Sequence, residues 1–267
     1  MIHDGRSSVT ISNQDLVVEF ESNGFIIVPA TKPEVLRKLR VAIRDLAYEL
    51  LNAPAGDVDV DLNQLHKHFS SSEQATKFRL SLAKSISERL EVGREVFDAF
   101  EDTLAPLVGN DVLTQRVPNV VFQPPGNPNP TELHRDAPAN SPYEVVVWLP
   151  LVDCYGTKSM YLLNRSASEE VLEFHKLFPN DADGFQGLMD AKAVLISVPF
   201  GSALLFWSAL FHGSLVNEES ETRLSLNTRY KSLFAPLGMK DPFRYFQILK
   251  TSPLTRLGLD FQRQESR

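Results

Sequence analysis

The feature that most constrains the fold is a change in residue pattern after Gly109. From there the chain contains short segments rich in β-branched and aromatic residues, which Pro, Gly, Asn and Asp separate. Such a series of short strands with turn residues between them is typical of an antiparallel sandwich or barrel. The segments are VLTQRVPNVVFQ, YEVVVWLPLV, AVLISV, SALLFW, FHGSLV and RLSLNTRYKSLF, and one helical segment, ASEEVLEFHKLF, interrupts them.

The residue pattern before these strands is helical. In KPEVLRKLRVAIRDLAYELL, residues such as Leu36 and Leu39 recur at the spacing of one helix face. A helix is also expected in SNQDLVVEFESNG, with Ser12 as its N-cap, and a short strand at FIIV. Two more helices are expected between residues 73 and 108.

We therefore predict one α+β domain in which the helices come first and the barrel second. Its helical part covers residues 1–110, the barrel core covers 111–235, and a C-terminal extension covers 236–267. Residues 155–193 and the extension lie outside the recognisable barrel strands. We expect these two regions to shape the substrate pocket or a subunit contact, because binding specificity usually lies in such connecting segments.

The composition limits which binding partners and which cellular compartment are expected. The 27 basic and 34 acidic residues give a net charge of −7, which argues against a general nucleic-acid or anionic-membrane binder. Cys154 is the single cysteine, so no internal disulfide can form and a reducing cytoplasm is the simplest location. The segment MIHDGRSSVTISNQD lacks the apolar core of a signal peptide, and no apolar run approaches the ~20 residues of a membrane span. We expect a small-molecule substrate and leave a homo-oligomer open.

A candidate metal site is divided between two stretches of the sequence. In TELHRDAPAN, His134 and Asp136 are two residues apart, which would put them on the same face of a strand. His212 follows 78 residues later in LLFWSALFHGSLV, and a barrel can bring such distant strands together. Two histidines and one carboxylate on one side of an iron ion form the facial triad of non-haem Fe(II) oxygenases. We predict that these three residues are metal ligands and catalytic.

The segment RLSLNTRYK has one wholly polar face. Arg223, Ser225, Asn227 and Arg229 alternate with mostly apolar residues, and in an ordinary sheet such a face would be solvated. The short turn NEESET, however, predicts a hairpin that lays this strand beside the strand of His212. Arg223 would then lie near the metal, where a guanidinium can bind a carboxylate through two parallel hydrogen bonds and a serine hydroxyl can add a third.

These motifs together resemble a known family. The order of HxD, a distal histidine, an arginine eleven residues on and a serine two beyond it resembles the Fe(II)/2-oxoglutarate dioxygenases, and more narrowly their phytanoyl-CoA dioxygenase-like branch. The segments that carry the resemblance are VVEFESNGFIIVPA, VFQPPG, VVVWLPLVD and FGSALLFWSALFHGSLVNEESETRLSLNTRY. It covers nearly the whole chain and is weakest over residues 155–193.

The resemblance implies a double-stranded β-helix, a distorted jelly roll, that holds Fe(II) at one mouth. It implies that Arg223, assisted by Ser225, binds the far carboxylate of 2-oxoglutarate. Some members also use a Gln and an Asn four residues apart, which Gln115 and Asn119 match. Gln115, Asn119 and Gln123 share one strand parity and could line a cavity, although Pro118 interrupts that strand.

The expected reaction consumes 2-oxoglutarate and O₂, releases succinate and CO₂, and oxidises a substrate C–H bond. Related halogenases have a small residue in place of the carboxylate ligand, so Asp136 favours hydroxylation, desaturation or ring chemistry. A polar cavity face favours a small hydroxylated substrate from carbohydrate or secondary-metabolite biosynthesis. The alternative is a cupin-type metalloenzyme, an epimerase or another dioxygenase, that does not use 2-oxoglutarate. Arg223 and Ser225 discriminate between the two.

Overall fold

The computed structural model describes residues 13–137 and 139–265, so the expected N-cap at Ser12 lies outside the described residues. The helices are α1 (Asn13–Asn23), α2 (Pro33–Leu51), α3 (Val58–Asn63), α4 (Ser72–Arg89), α5 (Val92–Ala99), α6 (Glu101–Val108), α7 (Arg165–Leu177), α8 (Ala182–Lys192), α9 (Pro242–Tyr245) and α10 (Pro253–Glu265). The strands are β1 (Phe25–Pro29), β2 (Val112–Gln115), β3 (Asn119–Gln123), β4 (Val145–Pro150), β5 (Tyr161–Leu162), β6 (Val194–Leu195), β7 (Ser202–Trp207), β8 (His212–Gly213), β9 (Arg223–Ser232) and β10 (Phe246–Lys250). None of the described helices combines the length and apolar composition that crossing a membrane requires.

The described strands form two antiparallel sheets. Seven strands make the major sheet in the order β1-β7-β4-β9-β2-β10, with β3 also paired to β9. The minor sheet has the order β6-β5-β8, and an isolated bridge between His134 and His212 extends it. The predicted α+β class and double-stranded β-helix are thus confirmed. The major sheet takes β1 from the helical part of the chain and β10 from the C-terminal extension.

Helices cover one face of the major sheet because that face is apolar. The β9 residues Leu224 and Leu226 are fully buried, as are Leu36 and Leu39 on α2. Gly93 of α5 lies so close to the sheet that an added Cβ would meet the Thr114 side chain. This packing fixes the sheet from outside and leaves its other face to form the interior of the barrel.

The opposite face of β9 carries the polar residues, and it is buried. Arg223 and Arg229 are each only 4% exposed, and Ser225 is fully buried. The polar face of β9 is therefore not exposed to solvent. Because buried polar groups are tolerated only where they find partners or ligands, this face is where a site must be sought.

Several elements differ from the sequence-based expectation. The region 73–108 contains three helices rather than two, because the chain bends at Phe100 between α5 and α6. Helices α8 and α10 were not expected, and the predicted strand AVLISV is reduced to β6. In the C-terminal extension, the segment DPFRYFQILK forms the short helix α9 and the edge strand β10.

Candidate metal centre and cosubstrate site

The three predicted metal ligands meet in the fold. Ligand atoms of His134, Asp136 and His212 lie within 4.8 Å of one another. The two imidazole rings are 4.2 Å apart between centroids, and the Phe206 ring of β7 packs 4.9 Å from His212. The backbone N–H groups of the two histidines donate to each other's carbonyls at 3.0 and 2.9 Å. One β-bridge thus brings together His134 and His212, which are 78 residues apart in the sequence.

Both histidines have one ring nitrogen fixed by the backbone. Nδ1 of His134 donates to the Glu132 carbonyl at 2.8 Å, and Nδ1 of His212 donates to the Leu210 carbonyl at 3.0 Å. Since a carbonyl only accepts, Nδ1 carries a proton in each ring, and Nε2 is the nitrogen left to face a metal. Burial, and then the neighbouring His134, lower the pKa of His212 to about 4. Its ring therefore stays neutral, as a metal ligand must.

The structure corrects two expectations about how these residues are placed. His134 and Asp136 do not share a strand: His134 makes an isolated bridge and Asp136 lies in a bend. Nor do β8 and β9 form a hairpin, because β8 belongs to the minor sheet and β9 to the major sheet. The segment between them crosses from one sheet to the other. Arg223 and His212 therefore belong to opposite walls of the barrel.

Arg223 is a buried cation with no carboxylate partner among the described residues. Its Nη1 donates to the Ser159 carbonyl at 2.7 Å and to Gln123 Oε1 at 3.3 Å. Its Nε is buried without a hydrogen-bond partner, and the guanidinium lies 5.3 Å from the Trp148 ring centroid. Burial lowers the pKa of Arg223 to about 10, so the side chain is still charged at neutral pH. A desolvated charge with a spare donor fits an anionic ligand.

Ser225 and Trp148 form the wall beside this arginine. The indole Nε1 of Trp148 donates to Ser225 Oγ at 2.9 Å, which leaves the serine hydroxyl proton free to reach another acceptor. Trp148 is therefore the tryptophan that faces the site. Ser159 adds a buried hydroxyl without a partner. The residues present thus fit a carboxylate bound next to Arg223.

The three polar residues of β2 and β3 are placed differently from one another. Gln115 is buried and accepts a hydrogen bond from Arg229 at 3.0 Å, whereas Asn119 is exposed and lies in register with Asn227. Gln123 lies in register with Arg223 and lines a cavity. The parity that the sequence indicated is broken at Pro118, as β2 ends before it and β3 begins after it.

Sequence reasoning gave no role to Arg229. Its Nη2 lies 2.7 Å from Asp136 Oδ2, and its Nη1 donates to the Tyr245 hydroxyl at 2.9 Å. The alternation in RLSLNTRYK did place Arg229 on the polar face, but nothing in the sequence indicates that Asp136 and Tyr245 reach it. The residue next to the candidate metal ligand is thus visible only in the fold.

A cavity of about 600 Å³ lies beside Gln123, the residue in register with Arg223. Gln123 lines it together with Arg79 and His66, and no carboxylate is among its described lining residues. The candidate metal ligands and Arg223 do not line it. The other lining residues are Phe69, Ser70, Ser71, Ser72, Ala75, Thr76, Val120, Val121, Phe122, Pro124, Pro125, Gly126, Asn127, Asn129 and Thr131.

A double-stranded β-helix with a cluster of two histidines and one carboxylate is the architecture of a non-haem iron enzyme. The chain belongs to the phytanoyl-CoA dioxygenase (PhyH) family, whose model matches residues 20–225. Family membership confirms the predicted cofactors, Fe(II), 2-oxoglutarate and O₂, and the His-Asp-His cluster is the candidate place for the iron. No curated protein matches the chain.

Solved structures share the fold at low sequence identity. EctD from S. alaskensis, solved with 2-oxoglutarate and 5-hydroxyectoine, has a TM-score of 0.56 and 15% identity over 95% of this chain and 88% of that chain. The non-haem monooxygenase ThoJ in its Ni complex has a TM-score of 0.53 and 19% identity, covering 89% and 84%. SnoK, a non-haem α-ketoglutarate-dependent carbocyclase from nogalamycin biosynthesis, has a TM-score of 0.52 and 15% identity, covering 86% and 88%.

Proposed function

We propose that this protein is an Fe(II)- and 2-oxoglutarate-dependent dioxygenase that hydroxylates a small polar substrate. The observation that carries the proposal is the buried, unneutralised guanidinium of Arg223 in the same barrel as the His-Asp-His cluster. A buried cation is costly unless something compensates it. The far carboxylate of 2-oxoglutarate provides that compensation.

His134, Asp136 and His212 hold the iron in this proposal. One ligand atom from each of the three side chains lies within 4.8 Å of the others, and the backbone carbonyls that fix each Nδ1 keep the rings oriented. Bound iron supplies the activation of O₂ and the oxidation of the substrate. The chain contributes two imidazoles held by backbone carbonyls and a carboxylate held by Arg229.

Arg223 and Ser225 orient the cosubstrate. The planar fork of the guanidinium matches a carboxylate, and the serine hydroxyl, which already accepts from Trp148, adds a donor of fixed direction. Neither Gln115 nor Asn119 contacts Arg223 among the described hydrogen bonds. We propose that Gln123, which does contact it, is the β3 residue that orients the arginine.

Asp136 determines the type of oxidation. Because a carboxylate stands where halogenases keep a small residue, we infer that hydroxylation, desaturation or ring chemistry takes place rather than halogenation. The buried polar face of β9 supports a small hydroxylated substrate of the carbohydrate or secondary-metabolite type. A readout of succinate release across a panel of such compounds identifies the substrate.

The decisive experiment combines spectroscopy with a variant. Anaerobic protein with Fe(II) and 2-oxoglutarate should show a weak visible charge-transfer band. His212→Ala should lose both that band and the iron-dependent consumption of 2-oxoglutarate, because one of three ligands is gone. The exposed histidine in His68→Ala provides the control and should behave as wild type.

A His212→Ala protein with full iron content and turnover would show that the metal ligands are wrong. The cupin-type alternative makes a different prediction. Iron would bind normally, but 2-oxoglutarate would produce no band, and Arg223→Ala would change nothing.

A further inference from the structure

A second buried arginine lies against the candidate metal centre. Arg229 is only 4% exposed, and its Nη2 lies 2.7 Å from Asp136 Oδ2. This ion pair occupies one carboxylate oxygen and leaves Oδ1 as the atom available to a metal. An Asp carboxylate rotates about a soft terminal torsion, so a fixed cation on one oxygen decides which atom the metal meets.

The chain holds Arg229 itself in place. Nη1 donates to Gln115 Oε1 at 3.0 Å and to the Tyr245 hydroxyl at 2.9 Å. Gln115 comes from β2 and Tyr245 from α9 in the C-terminal extension. Arg229 and Tyr245 both lie beyond residues 20–225, which the family model matches.

Arg229 also separates two acids. Glu144 is 2% exposed, and its Oε2 lies 3.9 Å from Arg229 Nε, while neither atom has a hydrogen-bond partner among the described residues. The guanidinium thus stands between the carboxyl groups of Glu144 and Asp136. Without it, the carboxyl groups of Glu144 and Asp136 would lose the cation that lies between them.

We propose that Arg229, held by Gln115 and Tyr245, is a positioning residue that fixes Asp136 for metal binding. The C-terminal extension thereby contributes to metal affinity, although it supplies no ligand. The inference rests on the metal site of the proposed function. It acts through Asp136, and it requires no contact between Arg229 and the iron, the cosubstrate or the substrate.

The test measures the affinity of the purified full-length protein for Co²⁺ by competition with a chelator. Loss of a residue that orients a metal ligand typically weakens metal binding by roughly 10- to 100-fold, and we expect a loss of that size for Arg229→Gln. Arg229→Lys should recover part of the affinity, because the charge returns without the planar fork. Arg244→Gln makes the same change in charge at a residue whose side chain is 90% exposed and should leave Co²⁺ affinity unchanged.

Tyr245→Phe removes only the hydroxyl that holds Arg229. We expect it to weaken Co²⁺ binding by a few-fold, with an unchanged circular dichroism spectrum. This variant decides the question if Arg229→Gln does not fold. Wild-type Co²⁺ affinity in a folded Arg229→Gln, or in Tyr245→Phe when Arg229→Gln does not fold, overturns the inference.

His212→Ala separates this result from a failure of the proposed function. If His212→Ala keeps its Co²⁺ affinity, the metal site itself is wrong. If His212→Ala loses that affinity while Arg229→Gln keeps it, the metal site stands and Arg229 has no positioning role.

Discussion

Arg223 and Arg229 lie six residues apart on the same strand and the same face, and both are almost completely buried. Their surroundings are opposite. Arg229 lies between two carboxyl groups, whereas Arg223 meets a carbonyl, an amide oxygen and an aromatic ring. The charge of Arg229 at one end of β9 is thus compensated by carboxylates, whereas the charge of Arg223 at the other end is not.

The difference shows how burial and pairing together distinguish two roles. A buried arginine with a carboxylate partner is already compensated, so it serves to hold that partner. A buried arginine without one bears a desolvation cost that an anionic ligand would relieve. The pKa values follow the same division. Burial lowers the pKa of Arg223 to about 10, whereas the lowering effect of burial on the pKa of Arg229 is outweighed by its acidic neighbours, which raise it.

The largest expected effect is on the stability of the metal-free protein. Arg229→Met removes the cation that pairs with Asp136 and lies beside the buried Glu144, and breaking a buried pair in this way costs about 3–5 kcal/mol. Arg223→Met loses hydrogen bonds but also removes an uncompensated charge, so we expect little net change. Chemical denaturation of the two variants measures both free energies of unfolding. Equal losses of unfolding free energy in the two variants would show that the two arginines do not differ in how their charge is compensated.

The second effect is on cosubstrate binding. Arg223→Ala should weaken the apparent affinity for 2-oxoglutarate by about 30-fold or more, because truncating a buried charged partner costs on the order of 2–5 kcal/mol. Arg223→Lys should recover only part of that loss, since the fork is gone. Titration into protein with its iron content checked separately provides the measurement. Unchanged affinity in Arg223→Ala would refute the cosubstrate assignment.

A last effect, on chemical reactivity rather than on stability or binding, concerns Cys154, which is buried near the Arg223 end of β9. Burial raises the pKa of its thiol from an ordinary 9 to about 11, and this outweighs the opposing effects of Arg223 and Lys158. With this pKa the reactive thiolate is about a hundredfold scarcer at pH 8, so alkylation should be at least that much slower in native than in unfolded protein. Equally fast reaction would show that the arginine, rather than burial, dominates this region.

Much of the site followed from the sequence, because its signals are local. The strand alternation placed Arg223, Ser225 and Arg229 on one face, and the pattern of HxD with a distal histidine indicated three ligands that the fold does bring together. The hairpin between β8 and β9 was wrong because a short turn predicts proximity along the chain. It does not predict that the segment crosses between two sheets.

By itself, the sequence determined the α+β class, the polar face of β9 and the candidate ligand set, since strand periodicity and residue chemistry are properties of neighbouring positions. Only the tertiary structure decided which arginine is neutralised. That outcome depends on Asp136, Glu144 and Tyr245, which come from separate parts of the chain and converge on Arg229 through the packing of the barrel. Pairing in a buried site depends on distances of a few ångströms, and no local pattern specifies the distances between side chains from different segments of the chain.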